Sequence, residues 1–125
     1  MKKTLVIGAS PNEQRYSNKA IQRLRAHKIP TVAIGLKEGE VAGVKIDTGK
    51  PQYADVDTVT LYINPQRQPD YYDYIIGLKP KRVIFNPGTE NLEFYAFLEE
   101  CNIEVLKACT LVMLATNQYK AQERE

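Results

Sequence analysis

The turn Gly8-Ala9-Ser10-Pro11 follows a short apolar run, Thr4-Leu5-Val6-Ile7, and its side chains are small enough for a phosphate to approach the backbone. The Ser10 hydroxyl can donate to a phosphate oxygen, and N–H groups at a following helix N-terminus add further donors. The turn opens like a dinucleotide fingerprint but lacks the second and third glycines. Arg15 lies in the loop beyond it, and Lys37 lies just past a second apolar run. A site for NAD normally places an acid at the end of the second strand to bind the ribose hydroxyls. Here that position reads Gly35-Leu36-Lys37. A cation there suits a phosphorylated ribose, which coenzyme A and NADP carry and NAD does not.

Further apolar runs also end in residues that let backbone approach a ligand: Asn64-Pro65 after Thr58–Ile63, and Asn86-Pro87-Gly88 after Arg82–Phe85. In open parallel sheets ligands bind outside the carboxyl ends of the strands. Each turn alone reads as a strand terminator; Gly8, Gly35, Asn64-Pro65 and Asn86-Pro87-Gly88 together read as a ligand rim.

Acid–base and nucleophilic candidates are sparse. The one histidine, His27, falls at an expected helix C-terminus, where it complements the helix dipole. Asp70 and Asp73 share a helix face at i,i+3 and read as a solvated face. Tyr71, Tyr72 and Tyr74 read as packing residues. Cys109 follows the last apolar run at the ligand-facing end. It reads as a small buried thiol, with a redox-sensitive or acyl-accepting thiol as the alternative. No Ser-His-Asp set can be assembled, and no catalytic residue is assigned.

The elements that would position these residues alternate between strand and helix. Strands are expected at Thr4–Ile7, Thr31–Ile34, Thr58–Ile63, Arg82–Phe85 and Ile103–Leu106. Most are continuously apolar, as in a parallel sheet buried on both faces. A first helix is expected over Asn18–Lys28, capped by Ser17 and stapled by Tyr16 against Ile21. A second starts near Pro69 rather than Pro65 and ends near Leu78, since an interior proline breaks a helix. A third spans Glu90–Cys101 with Leu92, Tyr95, Ala96 and Leu98 inward, and a last begins near Thr110. Residues 37–57 are punctuated by Gly39, Gly43, Gly49 and Pro51 and read as a loop with at most a minor strand. The pattern predicts an α/β, three-layer, doubly wound Rossmann-like fold with a mostly parallel five-stranded sheet. One domain is expected over residues 1–125, with a polar tail from about residue 117.

Composition narrows the function classes. The chain has 125 residues, 17 Lys and Arg against 15 Asp and Glu, and no basic run, so nucleic acid is not an expected partner. Two cysteines and one histidine cannot supply a structural Cys/His zinc site, so no metal is expected. The apolar run before Gly8 is too short for a signal or membrane segment, and Cys101 and Cys109 read as reduced thiols. A cytoplasmic location without membrane association is expected.

Gly8-Ala9-Ser10-Pro11 with downstream Arg15, the loop Val41-Ala42-Gly43-Val44, Asp57, Asn86-Pro87-Gly88-Thr89-Glu90-Asn91 and Cys109-Thr110 resemble the small stand-alone CoA-binding domain proteins. These in turn resemble the N-terminal domain of the succinyl-CoA synthetase alpha subunit. The likeness runs from Met1 to about Leu114. It implies a Rossmann-like fold in which the Gly8–Pro11 turn, the Lys37 loop, the Ile63-Asn64-Pro65 turn and the Asn86–Thr89 turn surround the coenzyme. Two departures fall on this rim. Many members carry Asn-Pro where this chain has Gly35-Leu36, and a Gln-containing turn where it has Asn86-Pro87-Gly88. The synthetases' phosphorylated histidine lies on a further domain, so the resemblance implies binding rather than catalysis.

The expected function is therefore binding of coenzyme A or an acyl-CoA by a small non-catalytic or regulatory module. A small NADP-dependent oxidoreductase or redox sensor is the alternative. An interaction module with a vestigial nucleotide pocket is the third reading.

Overall fold

The computed structural model describes residues 2–120. Seven strands form one sheet: β1 (Lys3–Ala9), β2 (Thr31–Gly35), β3 (Gly39–Val41), β4 (Val44–Asp47), β5 (Val56–Leu61), β6 (Arg82–Phe85) and β7 (Glu104–Lys107). Their order is β3-β4-β2-β1-β5-β6-β7, and every neighbouring pair is parallel except β3 with β4. The helices are α1 (Tyr16–Ala26), α2 (Tyr72–Leu78), α3 (Leu92–Glu100) and α4 (Thr110–Ala115), with a 3-10 helix at Pro65–Tyr71.

The fold is the α/β Rossmann-like one, and the sheet has seven strands rather than five. The two additional strands come from the segment read as a loop. Ala42 and Gly43 have φ of 50° and 81°, the geometry of a two-residue hairpin turn, and they reverse the chain between β3 and β4. Val44 and Ile46 then point inward while Lys45 is exposed, and β4 adds to β2 in parallel.

Continuous apolar runs make sense because both faces of the sheet are covered. Leu5, Ile7, Val59, Leu61, Val83 and Phe85 pack with Ile75, Phe94, Tyr95 and Leu98 beneath α2 and α3. Val6, Ala33, Ile46 and Ile84 point the other way, onto Ile21 and Leu24 of α1 and Met113 and Leu114 of α4. Each such side chain contributes about 1.5–3 kcal/mol on burial, and the covered sheet lets consecutive strand residues contribute on opposite faces.

The helices differ from expectation in where they start and in which residues α3 buries. Helix α1 starts at Tyr16, so Ser17 is a buried residue of its first turn rather than the cap; Arg15 holds the cap position without a side-chain bond. Tyr16 is exposed and forms no staple. The segment after β5 turns helical at Pro65 rather than Pro69. Asn64 caps it by accepting from the Arg67 N–H at 3.1 Å, and Pro65 occupies the first turn, where it has no amide bond to lose. On α3 the inward residues are Phe94, Tyr95 and Leu98, whereas Leu92 and Ala96 are exposed. Tyr95 and Leu98 are buried as expected, Phe94 joins them, and Asn91 caps the helix by accepting from the Phe94 N–H at 3.2 Å. Beyond α4, Tyr119 is buried, and residues 121–125 of the expected polar tail lie outside the described residues.

Candidate functional site

The chain leaves β1, returns as β2 on one side of it, and later re-enters on the other side as β5. Loops at this switch in direction diverge and leave a crevice at the carboxyl ends of the strands. A cleft of about 830 Å³ lies there, at the ends of β2, β1, β5 and β6.

Two glycines let the walls close up. Gly8 has φ +96°, and a Cβ on it would stand 2.9 Å from the carbonyl carbon and oxygen of Tyr62. A Cβ on Gly35 would collide with the carbonyl oxygen of Ala9. Both are required by close contact between neighbouring backbones, not by the open space of the cleft. The first turn is then fixed from within. Ser10 Oγ accepts from the Asn12 N–H at 3.0 Å, and the Asn18 side-chain amide donates to the Ser10 carbonyl at 3.0 Å. Helix α1 has no side-chain cap, and its first residues, Tyr16 and Ser17, line the cleft.

The opposite wall depends on two buried amides. Gln68 donates to the carbonyls of Ile63 at 3.0 Å and Thr89 at 2.7 Å, so one side chain ties the turn after β5 to the turn after β6. Asn86 donates to Thr60 Oγ1 at 2.7 Å and to the Leu61 carbonyl at 2.8 Å, and accepts from the Thr110 N–H at 2.9 Å. Its backbone carbonyl accepts from the Thr89 hydroxyl at 2.7 Å, which closes the 86–89 turn.

Gly8, Ala9, Ser10, Pro11, Arg15, Gly35, Lys37, Ile63, Asn64, Pro87, Gly88 and Thr89 all line this cleft. Pro65 and Asn86 do not. Pro65 starts the 3-10 helix, and the Asn86 side chain is spent on internal bonds. Cys109 is half-buried at the start of α4 and lies outside the lining. Asp70 and Asp73 are exposed. Tyr72 stacks on Phe94 at 4.3 Å, and the Tyr74 hydroxyl donates to the Pro51 carbonyl at 2.6 Å, so both are packing residues. Tyr71 instead lines the cleft, with the Lys50 ammonium 5.6 Å from its ring centroid.

Arg67, Tyr62 and Tyr71 complete the wall, and Gln68 positions it; sequence reasoning assigned none of them to a site. Asn64-Pro65 was the available signal, since a capped helical start at Pro65 carries Arg67 and Gln68 up to the rim. The Tyr62 hydroxyl is buried without a hydrogen-bond partner, and burial, then the neighbouring Cys109 thiol, push its phenol pKa up. It is therefore a neutral phenol at physiological pH.

Arg15, Lys37 and Arg67 give the cleft three cations, and no carboxylate lines it. Among the described residues none of the three forms an ion pair with the protein. Nor do any three His, Cys, Asp or Glu among the described residues group to hold a metal ion, and no described helix is long and apolar enough to cross a membrane.

The fold, with its crevice at the switch in strand order, is of the Rossmann-like class of α/β domain. The chain belongs to the CoA binding domain family, whose model matches residues 2–115. It is similar to a crystal structure described as that of an "uncharacterized protein", with 52% identity, TM-score 0.91, and coverage of 95% of this chain and 98% of the other. At lower identity it shares its fold with a Thermus thermophilus protein, at 19% identity, TM-score 0.80, and coverage of 94% and 90%. It shares it also with a conserved hypothetical protein from Pyrococcus furiosus, at 24% identity, TM-score 0.78, and coverage of 90% and 98%. No curated protein matches the chain.

Proposed function

We propose that the cleft binds coenzyme A or an acyl-CoA, and that the protein is a binding or regulatory module rather than a complete enzyme. The observation that carries this reading is the set of three unpaired cations, Arg15, Lys37 and Arg67, around a crevice with no carboxylate. Such a site suits a polyanion. The residues fit the coenzyme. Lys37 at the end of β2 suits a ribose phosphate, where an acid would suit a bare diol. The turn from Gly8 to Pro11 and the uncapped start of α1 suit the pyrophosphate. The turns ending β5 and β6 leave room for the pantetheine arm.

Binding without turnover follows from the chemistry of the lining. It offers hydroxyls, amides and cations, but no histidine, thiol or carboxylate to exchange a proton with a thioester. A thermal-shift and calorimetry panel of CoA, acetyl-CoA, a longer acyl-CoA, NAD and NADP tests the reading, because a ligand that binds only the folded state stabilises it. CoA compounds should raise the melting temperature and NAD should not. A larger shift with NADP than with CoA would transfer the site to a dinucleotide. Steady release of free CoA from an acyl-CoA would overturn the non-catalytic role.

A further inference from the structure

Gln68 is fully buried and does not line the cleft, whereas Ile63 and Thr89, whose carbonyls it binds, do. Each of those carbonyls takes one hydrogen of its amide, and Gln68 Oε1 accepts from Asn91 Nδ2 at 2.8 Å. Two carbonyl oxygens can be met only by the amino end, so the orientation of the amide is fixed. Asn91 Nδ2 gives its other hydrogen to the Tyr72 hydroxyl at 2.9 Å, and that hydroxyl donates to Glu93 at 3.0 Å. Asn91 Oδ1 meanwhile caps α3. One hydrogen-bonded chain therefore joins the turn after β5, the turn after β6 and the start of α3. The first turn stands apart from it, held by its own bonds among Ser10, Asn12 and Asn18.

Thr89 spends its polar groups inside the wall. Its N–H and hydroxyl both go to the Asn86 carbonyl, and its own carbonyl goes to Gln68. What it contributes to the cleft is shape, and the buried amide sets that shape. We propose that Gln68 is a positioning residue for the pantetheine arm, a latch that holds the two turns at the separation the arm requires before the ligand arrives. This rests on the coenzyme A reading above and deepens it. A wall built in advance spares the ligand the cost of ordering it. The chemistry demands an amide. Glutamate has the same shape, but its carboxylate would face two carbonyl oxygens and keep neither bond. The donor from Asn91 is equally specific: aspartate there would keep the cap on α3 and lose the bonds to Gln68 and Tyr72.

Two measurements on the full chain test the latch, with Gln68→Glu and Asn91→Asp compared with the parent. The first is calorimetry with CoA and with adenosine 3′,5′-bisphosphate, which lacks the pantetheine arm. Gln68→Glu should weaken CoA by about ten-fold, as the loss of one well-placed hydrogen bond does, and Asn91→Asp by less. The bisphosphate should bind parent and variants alike, because the first turn does not depend on the latch. The second is amide hydrogen exchange without ligand, which should quicken in both turns together, residues 63–68 and 86–91. Parental affinity for CoA in the variants would overturn the proposal. So would an equal loss for both probes, which a general loosening of the fold produces, or quickened exchange in one turn alone. If Gln68→Glu does not fold, Asn91→Asp decides by the same outcomes. Failure of the parent to bind CoA would instead overturn the functional reading, while hydrogen exchange, which needs no ligand, would still show whether the two turns are latched.

Discussion

The guanidinium carbon of Arg82 stands 4.5 Å from the centroid of the Tyr119 ring, and both residues are buried. Arg82 donates from Nε to Thr58 Oγ1 at 2.8 Å and from Nη2 to the Tyr119 carbonyl at 3.1 Å, while its Nη1 has no partner. The Tyr119 hydroxyl pairs with Thr4 Oγ1. A cation is thus held inside the protein by a ring face and neutral oxygens, with no carboxylate opposite it. The arrangement ties the segment after α4 to the amino-terminal ends of β1, β5 and β6, the edge of the sheet opposite the cleft.

Tyr119→Ala should destabilise the fold by about 3–5 kcal/mol, because it removes a buried aromatic and leaves Arg82 without its ring. Tyr119→Phe keeps the ring and should cost only about 1 kcal/mol for the lost hydrogen bond. Urea unfolding of the two variants measures the split. Equal losses would place the stabilisation in the hydroxyl rather than in the ring.

Stability should fall above pH ~10. A phenol in an unfolded chain titrates near pH ~10. Burial, the leading cause in each case, raises Tyr53, Tyr62 and Tyr119, and lifts Tyr74 to about 12. Between the unfolded and folded pKa values the folded state binds more protons, so stability decreases as pH rises; below that window these groups add no slope. Urea midpoints from pH 8 upward should stay level and then decline, with a shallower decline in Tyr62→Phe and Tyr119→Phe.

Asn86→Ala should cost about 2–3 kcal/mol, since it leaves the buried Thr110 N–H and Leu61 carbonyl without this partner. Because the Asn86 side chain ties the start of the 86–89 turn to β5 and α4, affinity for CoA should also fall, although that side chain does not line the cleft. Denaturation and calorimetry on one preparation check both effects. A stability loss with unchanged affinity would uncouple the turn from the site.

Lys37→Ala should weaken CoA by about 1.5 kcal/mol, roughly ten-fold, and dephospho-CoA far less. That difference isolates the ribose phosphate. An equal loss for the two ligands would leave Lys37 with a general electrostatic role.

Much of the layout was legible because strand composition and strand-ending residues are local signals. Thr4–Ile7 and Arg82–Phe85 declare buried strands, and Gly8, Gly35, Asn64 and Gly88 mark where they stop. The β3–β4 hairpin escaped detection because β3 has three residues and its turn is Ala42-Gly43, without the Asn or Asp that usually signals φ > 0. Arg67 and Gln68 were missed for another reason. Their placement depends on a 3-10 start at Pro65, and the cost of Pro69 inside an α-helix argued against it. Gln68 illustrates the limit: nothing nearby in sequence says that its amide will bridge residues 63 and 89.

The hairpin that escaped detection also decides what the sheet shows to other molecules. It ends one side with a three-residue strand, and its central residue, Glu40, is exposed. The far side ends with β7, whose exposed ends are Glu104 and Lys107. A long apolar border would template pairing with a second chain, and short charged borders discourage it. The doubly wound core therefore grows to seven strands while staying guarded against edge-to-edge self-association.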